Sequence, residues 1–235
     1  MKQINWLLLL FFVFLSLASG CVKKEDDLIG PTCQNCTVIK GRLTSGDGTI
    51  PIANAKITTN WVNTIYLQGG TVRKKAVSTT DSKGYYELKF QIRDDEKGEG
   101  YFETEILPPS VEYLSCSSSG HSFAFFELEK DTTITVNYFI PKRAFVEVRL
   151  TNQSQIKASD YFASSFDSKM GIDGNQSCGP VITWSSGLPS NPILEVAAGQ
   201  PVIITTHKIK NGVKTTTYDT LNLSDGQKAV YNAEF

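Results

Sequence analysis

The chain has 235 residues, 23 Lys and Arg against 24 Asp and Glu, and a net charge of −1. A balance this close to neutral points to neither nucleic acid nor an anionic membrane surface as partner. Two histidines with no His-Glu-x-x-His spacing argue against a zinc peptidase, and no Gly-rich loop links a strand to a helix to cradle phosphate.

The first element is an export signal. Lys2 precedes an apolar run over residues 7–15, the charged start and hydrophobic middle of a secretory segment. A membrane-spanning helix needs about 20 apolar residues, so this run reads as a segment that is cut off rather than one that stays in the bilayer. Small residues Ala18, Ser19 and Gly20 stand directly before Cys21. They resemble the lipobox of bacterial lipoproteins, with Leu17 one place further back than the strictest pattern. The resemblance implies that residues 1–20 are removed and that Cys21 is diacylated on sulfur, anchoring the chain to a membrane. Two acyl chains make such an anchor effectively stable. Lys23, Lys24, Glu25, Asp26 and Asp27 then resemble the lysine-and-acid export signal of Bacteroidota lipoproteins, which implies the outer face of the outer membrane. As charge chemistry alone, this run is a solvated tether over residues 21–36.

Setting Cys21 aside leaves Cys33, Cys36, Cys116 and Cys178. An even remainder in an exported chain points to disulfides, with three pairings open. A redox or zinc reading of Cys33 and Cys36 lacks the strand-to-helix context or the second close ligand pair it needs.

From residue 37 the chain reads as short strands. The first spans 37–44 and ends at Gly46-Asp47-Gly48; the second spans 55–62. Over 85–93, Tyr86, Leu88, Phe90 and Ile92 alternate with Tyr85, Glu87, Lys89, Gln91 and Arg93, which predicts a half-buried strand with one wet face. Val38-Ile39-Lys40-Gly41-Arg42-Leu43, Ile50-Pro51-Ile52-Ala53-Asn54-Ala55-Lys56-Ile57 and Thr80-Asp81-Ser82-Lys83-Gly84-Tyr85-Tyr86 together resemble the carboxypeptidase regulatory-like domain. The resemblance covers about 55 residues and implies a transthyretin-like or immunoglobulin-like β-sandwich over 37–141 that carries no catalytic residues. Gly84 is expected to take a positive φ in the tight turn. Further strands are expected over 101–106, 122–129 and 132–140.

A joint at Pro141-Lys142-Arg143 leads into a second set of strands, 142–235, starting with inward Ala144, Val146, Val148 and Leu150. Residues 154–192 read as long loops with short strands or one helical turn near 160–166. Strands over 201–210 and 213–223 flank Asn211-Gly212, a strong hairpin signal, and a last strand covers 228–235.

Candidate chemistry is sparse. Ser119-Gly120-His121-Ser122 lacks the base and third group a nucleophile requires and reads as a polar turn. Asp94, Asp95, Glu96 and Glu99 read as a solvated hairpin tip rather than a calcium loop, since adjacent acids point to opposite sides. Among the aromatics, Trp61 is assigned to a core face, while Trp184 and Tyr161 are the candidate exposed ligand contacts. Asp131-Thr132-Thr133 and Asp219-Thr220-Leu221 resemble the O-glycosylation motif of exported Bacteroidota proteins, implicating Thr132 and Thr220. The whole reads as all-β, two tandem sandwiches, with no cofactor and no metal. The expected role is a lipid-anchored binding or adhesion lipoprotein of the outer membrane with a protein or glycan ligand. The alternative is a docking subunit of an uptake or assembly complex.

Overall fold

Alternation governs the core. Tyr86, Leu88, Phe90 and Ile92 are buried while Tyr85, Glu87, Lys89 and Gln91 are exposed, as a period of two requires. The computed structural model describes residues 21–29, 33–116, 120–185 and 191–235; the expected signal segment with Leu17, Ala18, Ser19 and Gly20 lies outside them.

The described residues are all-β. In chain order the strands are β1 (Val22–Asp26), β2 (Thr37–Ser45), β3 (Ile50–Pro51), β4 (Lys56–Ile65), β5 (Gly69–Thr79), β6 (Tyr85–Phe90), β7 (Tyr101–Leu107), β8 (His121–Phe125) and β9 (Thr133–Thr135). They continue as β10 (Tyr138–Phe139), β11 (Arg143–Thr151), β12 (Tyr161–Ile172), β13 (Gln176–Cys178), β14 (Val181–Thr183), β15 (Ile193–Ala197), β16 (Pro201–Lys210), β17 (Val213–Asn222) and β18 (Lys228–Glu234). Single 3₁₀ turns occupy Asp94–Glu96 and Gln153–Gln155.

One sheet has five strands in the order β1-β5-β4-β7-β8, and another has three in the order β15-β11-β18. Between them runs a ten-stranded ladder with the path β17-β16-β12-β10-β2-β3, on which β6 and β9 join β2 and β13 and β14 join β12. Buried apolar side chains fall into two clusters. Ile39, Leu43, Leu88, Phe90, Phe102 and Tyr138 belong to one, and Val146, Val148, Phe162, Phe166, Ile204 and Phe235 belong to the other. The two-residue strand β10 joins them. It pairs with β2 on one side and β12 on the other, and its own two residues, Tyr138 and Phe139, belong to different clusters.

Two glycines fix the first cluster's geometry. A Cβ at Gly41 would fall 1.7 Å from the carbonyl oxygen of Val136, so only glycine lets β2 lie against that segment, where the buried Tyr86 hydroxyl donates to the same oxygen at 2.7 Å. Gly84 has φ +79°, as the turn signal predicts, and its Cβ would sit 2.4 Å from the Leu43 oxygen. Asp81 accepts backbone hydrogen bonds from Lys83 and Tyr85 to close that turn. Gly84→Ala is therefore expected to cost about 1–2 kcal/mol from the left-handed backbone alone, and more from the clash; a guanidinium unfolding midpoint measures it.

Two strands depart from expectation. Residues 160–166 form no helical turn: Tyr161–Ile172 is a twelve-residue strand that takes Phe162, Phe166 and Met170 inward. Its buried serines escape a desolvation cost because Ser164 Oγ pairs with Thr206 Oγ1 at 2.9 Å and Ser168 Oγ donates to the Cys178 oxygen at 3.0 Å. The strand β5 was hidden by Arg73-Lys74-Lys75, three consecutive cations in place of an alternating pattern.

Candidate functional site

The site with the most built-in chemistry is the segment after Cys21. Residues 22–26 are not a free tether. They form β1, which lies parallel to β5 with Val22 opposite Gly70, Glu25 opposite Arg73 and Asp26 opposite Lys74. The backbone is ordered because its charges have partners. Asp26 meets Lys74 at 2.7 Å on one face. On the other, Arg73 Nε donates to Glu25 at 2.6 Å, and Asp27 receives both Lys75 and Arg93.

This face is organised around two buried charges. The side chains of Lys75 and Glu96 are wholly buried, and Lys75 Nζ donates to both Glu96 oxygens at 2.9 Å. Glu96 also accepts the Arg93 backbone N–H at 2.9 Å and Arg73 Nη1 at 3.3 Å. Beneath this network the Trp61 ring lies 4.7 Å from the Arg73 guanidinium carbon, a cation–π contact, and Trp61 is buried on the core face as expected. The acidic run is therefore no solvated hairpin tip. Asp94 pairs with Lys130 and Asp95 with Arg73, Glu99 accepts from Asn63, and Glu96 is in the interior. Among the described residues no cluster of His, Cys, Asp and Glu could hold a metal ion.

The electrostatics follow from these contacts. Hydrogen bonds first from Lys23 and then from Arg73 pull Glu25 down to about 2. At Asp27 burial opposes ionisation, but the bonds from Arg93 and Lys75 outweigh it and hold the carboxyl below its ordinary value. A carboxylate whose folded value is depressed contributes stability above its unfolded value and loses it as pH falls through the folded one. Docking of β1 is thus expected to be intact at pH 7 and to weaken between about pH 4.5 and pH 2. Amide hydrogen exchange over residues 22–26, referenced to β11, tests this; protection that holds steady to pH 2 would dismiss the charge clamp.

The cysteines divide cleanly. Cys33 bonds Cys36 and Cys116 bonds Cys178, each pair with Cα atoms 5.9 Å apart. Cys21 is exposed and unbridged. Lys23 pairs with Glu25 at 2.7 Å, and Lys24 is exposed.

Other predicted contacts fare differently. Trp184 is not an exposed ligand contact: it is 3 % exposed and stacks on Phe162 with centroids 6.0 Å apart. The Ser- and Gly-rich surroundings concealed that the Trp184 backbone N–H donates to the Phe162 carbonyl oxygen at 2.8 Å, which ties it to β12. Tyr161 is exposed on that strand. His121 opens β8 rather than a polar turn and is buried beside the Tyr138 ring, where desolvation lowers its pKa; Ser119 lies outside the described residues. Thr132 is half-buried, and Thr220 is exposed on β17.

Sequence reasoning missed a groove of about 920 Å³ bordered by Arg42, Tyr85, Asn137, Asp167, Lys169 and Asp173. Arg42 and Tyr85 sit opposite each other across β2 and β6, with the guanidinium carbon 5.7 Å from the ring centroid. Only strand pairing reveals this pair. A concave site with an exposed aromatic ring and convergent polar groups suits a small or extended ligand.

No protein-family model and no curated protein matches the chain. Solved structures give loose superpositions. The Bacillus anthracis TIE protein shares 13% identity with a TM-score of 0.35, covering 86% of this chain, which spans 34% of that protein's length. The shaft pilin SpaA of Lactobacillus rhamnosus GG shares 10% identity with a TM-score of 0.31, over 85% of this chain and 98% of the pilin. A streptococcal ancillary pilin shares 11% identity with a TM-score of 0.33, over 86% of this chain and 63% of the pilin. TM-scores of this size carry no argument about function, which rests on the chain's own geometry.

Proposed function

We propose that this chain is a lipoprotein of the bacterial outer membrane, anchored by acyl chains on Cys21, displayed at the cell surface and acting by binding rather than catalysis. The observation that carries the reading is the division of the cysteines: four are bridged, and the one that follows the lipobox pattern is exposed and unbridged. In an exported chain a lone exposed thiol calls for a modification or a partner. Residues 37–141 are read as a sandwich of the carboxypeptidase regulatory type, supported by the Gly41 and Gly84 geometry. The groove beside Arg42 and Tyr85 is the contact region for a glycan or protein ligand.

A second reading, a docking subunit of an outer-membrane uptake or assembly complex, draws on β17. Its ten residues are almost wholly exposed, and its outer edge pairs with no strand among the described residues, which offers a template for strand addition.

Proteinase K treatment of intact cells, with mass spectrometry of the mature chain and of Cys21→Ala, tests both. Acylation at Cys21 with cleavage from outside supports surface display. Acylation with protection from the protease favours the docking role, and an unmodified Cys21 removes the lipoprotein reading.

A further inference from the structure

The end of the five-stranded sheet nearest Cys21 has an unusual surface. Val22 lies opposite Gly70 in the parallel register and Ile65 lies opposite Gly69 in the β4–β5 hairpin. Cys21, one residue before Val22, therefore stands at the level of Gly69, about 4.8 Å from β5 and two such spacings from Ile65 on β4, and residues 66–68 form the turn that closes this end of the hairpin. That turn is apolar and open: Ile65 is 57%, Tyr66 89% and Leu67 69% exposed, and Val22, two strands away at the same end of the sheet, is 41% exposed.

Three features set this tip apart from an ordinary loop. From Trp61 to Val72 no residue is charged, although charge crowds β5 immediately afterwards at Arg73, Lys74 and Lys75. Leu67 adopts φ +63°, a turn conformation that Gly or Asn takes with less strain. The turn holds a leucine where the backbone favours a small or polar residue. Finally, the charge clamp on β1 begins at Glu25, three residues or about 10 Å along the strand from Val22, so the clamp fixes where the chain leaves the sheet.

We infer that Val22, Ile65, Tyr66 and Leu67 form a membrane-contacting tip that rests in the bilayer interface beside the lipid on Cys21. The inference rests on the acylated-Cys21 reading. The occupant is a bilayer because the anchored residue and the apolar tip share one end of one sheet: a lipid on Cys21 brings that end to the membrane surface. Tyrosine suits this level, with an apolar ring and a polar hydroxyl. Two acyl chains already give stable attachment. The tip therefore sets orientation, with β1 and β5 running away from the membrane, rather than adding affinity.

The test uses acylated mature protein in vesicles of phosphatidylethanolamine and phosphatidylglycerol, with lipids brominated near the headgroup or deep in the acyl region. Trp61 and Trp184 are buried, so the unsubstituted protein supplies the background. Tyr66→Trp is expected to lose at least half of its added emission to the shallow quencher and less to the deep one, while Tyr161→Trp, exposed on β12, is unaffected. Leu67→Asn, which suits the positive φ and should fold normally, is expected to reduce quenching of Tyr66→Trp. Protein that floats with the vesicles but shows no quenching at position 66, or equal quenching at 66 and 161, overturns the tip and leaves the anchor intact. A tip that instead binds a protein would give this result. Protein that neither carries acyl mass nor floats overturns the anchor reading and the tip with it.

Discussion

Replacing Glu96 by alanine is expected to destabilise the protein by about 3–5 kcal/mol, because it leaves the buried Lys75 short of its main counter-charge. The side chains of both residues are fully buried, and Glu96 also serves Arg73 and the Arg93 N–H. For a chain of this size each kcal/mol corresponds to roughly 2–4 °C in Tm, so calorimetry will resolve the change easily. Asp27 still faces Lys75 in the variant, which places the loss toward the lower end of that range. The same variant is expected to loosen β1, seen as faster amide exchange over residues 22–26. Asp94→Ala, which removes an almost fully exposed carboxylate from its pair with Lys130, should leave the midpoint unchanged, as exposed pairs contribute little. Replacing Lys75 and Glu96 together by Met and Leu tests what the pair is for. Stability is expected to recover. If β1 is then still protected, the pair serves the core; if β1 frays, it holds the anchor segment.

The second large effect belongs to the Cys116–Cys178 bridge. Its sequence separation of 62 residues makes its removal cost about 4 kcal/mol on the chain-entropy account. The Cys33–Cys36 bridge closes a far smaller loop, with a separation of 3, and the same account gives about 2 kcal/mol. A Cys116→Ser/Cys178→Ser variant should therefore show a denaturant midpoint well below that of Cys33→Ser/Cys36→Ser. Equal losses would show that native packing, not loop closure, sets both. The long bridge also has a structural consequence: it fastens the segment between β7 and β8 to β13, across the joint at residues 141–143, and so supplements the short ladder through β10. Loss of the bridge should consequently raise exchange at Tyr138 and Phe139 before it affects β11.

Much of the β-structure was legible because strands with one dry face write a period of two into the chain. β6 and β11 were read this way, and Asn211-Gly212 placed the β16–β17 hairpin because φ values of +51° and +79° suit those residues. The strands β5 and β12 were not legible. One carries consecutive cations and the other buried serines, and each is explained only by a partner far away in sequence: Glu96 for Lys75, Thr206 for Ser164. The same reasoning explains Trp184, whose polar surroundings suggested exposure although the Phe162 ring covers it.

For the candidate site, the sequence by itself determined which residues follow the lipobox pattern, that four cysteines remain once Cys21 is set aside, and that the segment after Cys21 is charged. Local chemistry suffices for these, because a motif or a charge is a property of adjacent residues. Only the tertiary structure decided that those charges are clamped against Arg73, Lys74 and Lys75, that Cys33 pairs with Cys36 and Cys116 with Cys178, and that Arg42 and Tyr85 meet in a groove. A solvated tether and an edge strand can share one sequence. The difference is whether opposite charges, supplied from elsewhere in the chain, are held at hydrogen-bonding distance.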